Sequence, residues 1–290
     1  MPRRITLAGI GALLALALAA CGPGGTGPHA GGTAGFGDCE LTGEPGSITL
    51  DPITEGRLTV VTALPNPGWW NGTSPENLTD GFEFCMLAEI AHRAGLETME
   101  VRNLSWDQYI SGSFTDYDIG ATVTGITDER KQVFSFSEPY YSSNLAVTVA
   151  AGSGIDASTI QDARIGLVQS STGAAWVLDN LRPTTAPSLF SDGPEMFAAL
   201  AANQVDAVIT DTETALTQSS AYRDEVEVVA QYEIGTPWGM ILPLDSPNVE
   251  QVDQAVTDMQ EDGTFDRLSA QYLEPLFGVD PASIPFWTAG

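Results

Sequence analysis

Residues 118–130 read DIGATVTGITDER. The apolar stretch over 118–123 fits a strand buried on both faces. A glycine and threonines follow as a turn. Thr127 then stands as the N-cap of a helical turn, with Arg130 three positions on. A strand running into a helix start is the unit of an α/β protein. Arg130 presents a planar fork of donors that suits a carboxylate. It can equally pair with Glu129 or Asp128, and the residues alone favour that surface pair.

The same pattern recurs along the chain. At 165–173, IGLVQSSTG is a strand followed by hydroxyls at a helix start, where free backbone N–H groups suit an anion. At 205–211, VDAVITD is an apolar strand ending in Asp211 just before a helix. A carboxylate there either binds an ammonium group or caps the helix. Strands are expected over 58–63, 99–104, 118–123, 145–150, 164–169, 206–210, 226–230 and 239–244. Helices are expected over 80–94, 172–181, 194–202, 212–220, 249–262 and 264–273. In the first helix Leu87, Ile90, Ala91 and Ala94 share one face, and Gly95 supplies the stop. The alternation predicts α/β architecture with largely parallel sheets, and 290 residues leave room for two of them.

The N-terminus has a different composition. Residues 1–21 read MPRRITLAGIGALLALALAAC. Arg3 and Arg4 precede an uncharged apolar run, and small residues precede Cys21. This is the layout of a secretory signal peptide, with a run too short to span a bilayer comfortably. The residues after the twin arginine fit the general secretory route better than twin-arginine export. Leu18-Ala19-Ala20-Cys21 resembles a bacterial lipobox, which implies a diacylglycerol on Cys21 and cleavage before it. The uncharged stretch GPGGTGPHAGGTAGFG after it cannot offset its own chain entropy. Residues 21–57 are therefore read as a flexible tether with a reach on the order of 30 Å, and His29 within it as a bystander.

Charge and cysteine usage narrow the function classes. There are 38 acidic residues against 11 basic ones, and Lys131 is the only lysine. Such a surface repels nucleic acid and anionic lipid, so membrane attachment has to be covalent or hydrophobic. With Cys21 assigned to lipid, Cys39 and Cys85 remain as an even pair in an oxidising compartment, where a disulfide is expected. Two cysteines and two histidines without ligand spacing make no zinc site. No metal and no cofactor is expected. His92, beside Arg93 in the 80–94 helix, reads as part of a solvated face. Nucleophilic catalysis lacks a Ser-His-Asp order or a G-x-S-x-G turn, and no lysine-bearing phosphate loop appears.

Taken in order, LTVVTALPNP, DGFEFCMLAEIAHRAGL, GITDERKQVFSFSEPYY, IGLVQSSTGAAW, MFAALAANQVDAVITD and DGTFDRLSAQYL resemble the extracellular solute-binding proteins for polar amino acids that serve ATP-driven (ABC) importers. The resemblance runs from about residue 58 to 278. It implies a two-lobed periplasmic-binding-protein-like fold with two hinge strands and a ligand cleft. Residues 58–147 and 236–290 would form lobe 1, and residues 148–235 lobe 2. It also implies that Arg130 grips the ligand α-carboxylate, that Asp211 holds the α-ammonium, and that Ser171 and Thr172 add hydrogen bonds from the other lobe. Four positions depart from the family pattern. Gly125 stands where Ser or Thr is usual, so Thr124 or a backbone group takes that place. Asn66 stands where an aromatic is common, which moves that role to Trp69 or Trp70. An acidic side chain is absent at Ala63, and Cys85 replaces a usual acid.

The function expected is ligand capture by a lipid-anchored monomer on the outer face of the cell membrane, delivering to a membrane permease. The ligand would be an amino-acid-like zwitterion with a neutral or cationic side chain. Two rivals share the fold: an enzyme, since some relatives dehydrate cyclic acids, and a ligand-sensing module.

Overall fold

The computed structural model describes residues 35–289, and the expected signal peptide, Cys21, His29 and residues 21–34 of the expected tether lie outside them. Among the described residues the strands form two five-stranded sheets, ordered β2-β1-β3-β10-β4 and β7-β6-β8-β5-β9.

The first sheet is built from β1 (Arg57–Thr62), β2 (Thr98–Asn103), β3 (Ile119–Gly120), β4 (Phe134–Phe136) and β10 (Ile241–Pro243). β1 runs parallel to β2 and β3, whereas β10 is antiparallel to both β3 and β4. β1 is buried along almost its whole length because helices cover one face and an aromatic cluster the other. That second cluster joins Val61 to Tyr109, Tyr117, Phe134 and Ile241. Asp118 fixes the register at the strand start, where its carboxylate accepts the backbone N–H groups of Thr59 at 2.7 Å and Ile53 at 2.8 Å.

Helix α1 (Phe82–Arg93) buries nearly every residue it has. Its apolar face meets the sheet. Its other face is covered by α6 (Val249–Glu261), α7 (Thr264–Leu268) and a strap of chain that precedes β1. Leu87 and Ile90 are fully enclosed there. Cutting either to alanine should cost about 2–5 kcal/mol, the usual range for a core cavity.

The strap is the main departure from the expected tether. From Asp38 onward the chain is docked. Cys39 is disulfide-bonded to Cys85 on α1. The N–H groups of Thr42 and Gly43 donate to the two oxygens of Glu89 at 3.0 and 2.6 Å. Glu89 in turn holds Arg93 at 2.9 Å, and Arg93 reaches Asp262. Gly43 is needed at this crossing, because a Cβ there would stand 2.4 Å from Arg93 Nε. His92 does not simply face solvent: its Nε2 lies 3.0 Å from the Gly43 carbonyl oxygen. Asp51 is then tied to Asn248 at the start of α6.

The second sheet contains β5 (Tyr141–Ala150), β6 (Ile165–Val168), β7 (Ser188–Phe190), β8 (Ala207–Asp211) and β9 (Val226–Trp238). β6 is parallel to β7 and β8, and β5 is antiparallel to β8 and β9. Both sheets are therefore mixed, where largely parallel ones were expected. The cause is that the chain leaves the first lobe along β5, returns along β9, and must close each sheet with strands running the other way. Apolar clusters cover both faces of this sheet. α3 (Thr172–Trp176), α4 (Gly193–Ala201) and α5 (Thr212–Ser219) pack on it.

β5 and β9 carry the chain between the lobes. Their pairing starts at Tyr141 opposite Trp238 and ends at Ala150 opposite Val226, with register shifts between Ser143 and Leu145 and between Val147 and Thr148. Tyr141 stacks on Trp238 at 5.3 Å, and Trp69 meets Trp238 edge-on at 5.2 Å. The segment after Gly278 does not stay with the first sheet. Trp287 and Pro285 bond to the backbone of Gln231, so the tail lies along β9.

Candidate functional site

A cleft of about 180 Å³ opens between the two sheets. Arg130 and Asp211 both line it, with Asn66, Val123, Ser171 and Thr172. Arg130 begins a short helical turn over Arg130–Gln132 whose N-cap residue is Glu129 rather than the expected Thr127, although the Arg130 backbone N–H does donate to the Thr127 hydroxyl at 3.1 Å. The side chain is 8% exposed. Nη1 donates to the Gly125 carbonyl at 2.8 Å, and Nη2 donates to the Ser170 carbonyl at 3.0 Å. The guanidinium also lies 5.5 Å from the centre of the Trp106 ring. Lys131, not Arg130, takes Asp128, at 3.8 Å. Among the described residues no carboxylate forms an ion pair with Arg130. Burial lowers its pKa, and the opposing pulls of Tyr109, Asp211 and Glu129 are weaker.

Asp211 closes β8 and precedes α5, yet its side chain does not cap that helix. Its Oδ1 is enclosed and has no hydrogen-bond partner in the protein. Burial, reinforced by the negative charge of Glu213, pushes its pKa up to about 7, and its own backbone N–H, the charge of Arg130 and the Trp238 indole only partly oppose this. The cleft thus offers a cationic fork without an acid, and a carboxylate with no paired cation and one enclosed oxygen unbonded. Groups left in this condition mark a place where a ligand completes the pairing.

The remaining sequence candidates divide. Ser171 lines the cleft, and its hydroxyl accepts the Ala174 N–H at 3.0 Å, capping α3. Thr172 lines the cleft beside it. Gly125 sits close against Thr172 and Thr236. A Cβ there would stand 2.9 Å from Thr172 Cγ2 and 3.0 Å from Thr236 Cγ2, which accounts for glycine where a hydroxyl was expected. Thr124 is fully buried and turned to Tyr109, with the two hydroxyls 2.9 Å apart, away from the cleft wall. Asn66 is on the wall and nearly buried.

Trp69 and Trp70 are fully buried and absent from the cleft wall. Trp69 packs among Phe82, Tyr141 and Trp238. Trp70 Nε1 donates to Glu83 at 2.7 Å. The aromatic on the wall is instead Trp106, which begins α2 (Trp106–Ile110). The sequence held a signal for it: Ser105 with Gln108 three positions on is a capping box, and both halves form.

α2 also joins the lobes. Trp106 Nε1 donates to the Gln169 carbonyl at 2.8 Å, and the Gln169 amide donates to Asp107 Oδ2 at 2.7 Å. With the bond from Arg130 to Ser170, these contacts close the cleft at three points. Glu83 supports the wall from behind. It is fully buried and accepts from Val123 N at 2.7 Å, Trp70 Nε1 and the Tyr140 hydroxyl. Burial raises its pKa to about 7 in spite of those bonds. Val123, held by that carboxylate, has a left-handed φ of 44°, a strained value for a β-branched residue.

Among the described residues no group of three or more His, Cys, Asp or Glu side chains is placed to hold a metal ion, and no helix is long and apolar enough to cross a membrane.

Two lobes joined by two crossing strands, with a cleft between, define the periplasmic-binding-protein-like fold. The chain belongs to the bacterial extracellular solute-binding proteins, family 3, and matches that family over residues 58–275. It is 24% identical over 205 residues to the L-cystine-binding protein TcyJ of Escherichia coli, covering 69% of this chain and 75% of that one. It is 27% identical over 267 residues to the L-cystine-binding protein TcyA of Bacillus subtilis, covering 89% and 92%. Among solved structures, an ancestral arginine-binding protein bound to arginine matches with a TM-score of 0.67 and 26% identity, over 75% of this chain and 98% of that one.

Proposed function

We propose that this protein captures an amino acid between its lobes and hands it to an ABC importer, with no chemical turnover. The observation that carries the reading is the pair of unmatched charges in one cleft, Arg130 with no acid and Asp211 with a buried, unbonded oxygen. A zwitterion supplies the missing partner to each. Its α-carboxylate would meet the Arg130 fork and the hydroxyls of Ser171 and Thr172, and its α-ammonium would meet Asp211. Arg130 comes from the first lobe and the other three from the second, so the closed form binds more of the ligand than either lobe alone. The relatives named as amino-acid-binding proteins support the ligand class.

The same reading makes the protein a lipoprotein, held to the outer face of the membrane through Cys21 and acting as a monomer with its permease. Protein from native membranes should yield a Cys21 peptide heavier by a diacylglycerol, and an unmodified peptide spanning Ala20 to Gly22 as the main cell-bound form contradicts this. The binding claim is tested by calorimetry on protein unfolded and refolded to strip any carried ligand, against the common L-amino acids and L-cystine. Saturable binding of at least one of them is expected. Absence of binding by all of them overturns the reading.

A further inference from the structure

α5 starts directly after Asp211, and helical spacing puts positions 211, 214 and 218 on one face. Thr214 and Gln218 line the cleft together with Asp211. They are 9% and 6% exposed. Thr214 Oγ1 is enclosed without a hydrogen-bond partner in the protein. Among the described residues no hydrogen bond is made by the Gln218 carboxamide. Buried hydroxyls and amides are nearly always satisfied, so two on one cleft-facing stripe need a partner from outside the chain.

The stripe has a length. Seven positions of helix separate Asp211 from Gln218, about 10 Å along the axis. An amino acid anchored by its ammonium at Asp211 and running along this face passes Thr214 first. A methyl side chain ends before Gln218, whereas a chain of several heavy atoms reaches it. The stripe also has a polarity. Among the described residues Arg130 is the only basic one on the cleft wall, and it is committed to the α-carboxylate; Asp192 lies on the wall near the far end. A terminal carboxylate there would meet an acid and no cation. A terminal nitrogen donor finds acceptors in Thr214 Oγ1, Gln218 Oε1 and Asp192.

We infer that Thr214 and Gln218 form the side-chain subsite, and that they select amino acids whose long side chain ends in a nitrogen hydrogen-bond donor (carboxamide, guanidinium or ammonium). This inference rests on the amino-acid reading above. It assigns specificity to α5, which the sequence motifs had not marked beyond Asp211.

The test is calorimetry with L-glutamine, L-arginine, L-glutamate and L-alanine on the full mature chain. The variants are Gln218→Met and Thr214→Val, which keep volume, with Arg130→Ala as a control on the parent reading. The unmodified protein should bind L-glutamine or L-arginine at least about tenfold more tightly than L-alanine and L-glutamate. Each volume-keeping variant should reduce that preference by about two- to tenfold, the scale of one neutral hydrogen bond. If Gln218→Met does not fold by circular dichroism, Thr214→Val decides. L-glutamate binding as tightly as L-glutamine, or a preference that survives both substitutions, overturns the inference. In that case loss of all binding in Arg130→Ala leaves the zwitterion reading standing. No binding of any probe to the unmodified protein overturns both.

Discussion

Asp211 should make ligand capture depend on pH across the neutral range. The perturbation is a pH series from 8 to 5, run on the unmodified protein and on Asp211→Asn. In the empty cleft the Asp211 carboxyl is pushed up to about 7 by burial and by Glu213, against a weaker opposing effect of Arg130. Only its ionised form complements an ammonium group. Below pH 7 each ligand must therefore displace a proton, and the apparent Kd rises by a factor of ten per pH unit. That predicts a Kd about twofold weaker at pH 7 than at pH 8, about tenfold weaker at pH 6 and about a hundredfold weaker at pH 5. Calorimetry at pH 6 in two buffers of different ionisation enthalpy should show close to one proton released per ligand bound. Stability of the empty protein should move the other way. Asp211 and Glu83 both have folded pKa values raised above their unfolded ones, so the folded state holds protons that the unfolded state releases. Their contribution is fully present below the ordinary carboxylate range and is lost as pH rises through about 7. The Tm of the empty protein should thus fall from pH 5 to pH 8 while affinity rises. In Asp211→Asn the affinity should be low and flat with pH. A Kd constant between pH 8 and 6 in the unmodified protein refutes the role of Asp211. A slope that persists in Asp211→Asn points to Glu83 instead.

Arg130→Ala removes the fork and leaves the ligand carboxylate unpaired in a buried place, which should weaken binding by about 2–5 kcal/mol in calorimetry. Reducing the Cys39–Cys85 bridge, whose ends are 46 positions apart, should lower stability by up to about 4 kcal/mol on the chain-entropy account, read as a drop in the denaturant midpoint with and without reductant. Gly125→Ala puts a methyl 2.9 Å from Thr172 Cγ2, so small-angle scattering should show a more open ligand-bound form and calorimetry a weaker Kd. Trp106→Phe keeps a ring near Arg130 but loses the donor to the Gln169 carbonyl, and should speed ligand release in stopped-flow fluorescence with little change in Tm.

Much of this architecture could be read from the chain because buried strands leave a strong local record. β1, β2, β6 and β8 lie within a residue or so of the apolar stretches that predicted them, as do α1, α4, α5 and α6. What was missed is short or is decided by distant chain. β3 keeps only Ile119–Gly120 of a six-residue expectation, since the chain leaves the sheet at Ala121 and puts Thr122 and Val123 on the cleft wall. β4 and β7 are three residues each, too short for a period-2 pattern to register. The direction of β10 depends on which lobe the chain returns to, which no local pattern encodes. Arg130 and Asp211 drew notice because each follows an apolar strand or its turn, but the residues alone favoured a surface pair for Arg130 and left Asp211 open, and only the family resemblance assigned both to the cleft. The exchange of Trp69 and Trp70 for Trp106 was not legible, because all three are equally apolar. Only tertiary packing decides that Trp70 serves Glu83 while Trp106 lines the cleft. The strap was read as tether because its anchors are backbone N–H groups meeting Glu89, and backbone donors leave no mark in composition.

The position of β10 also sets a timetable for assembly. It lies between β3 and β4 in the first sheet, although more than a hundred residues of chain separate it from them. A ribosome releases β1 to β4 early, but the slot between β3 and β4 stays open until β10 emerges. All five strands of the second sheet, β5 to β9, emerge between β4 and β10. A nascent chain therefore carries a half-assembled first sheet while every strand of its second sheet has already been made, and the first lobe closes only when β10 arrives.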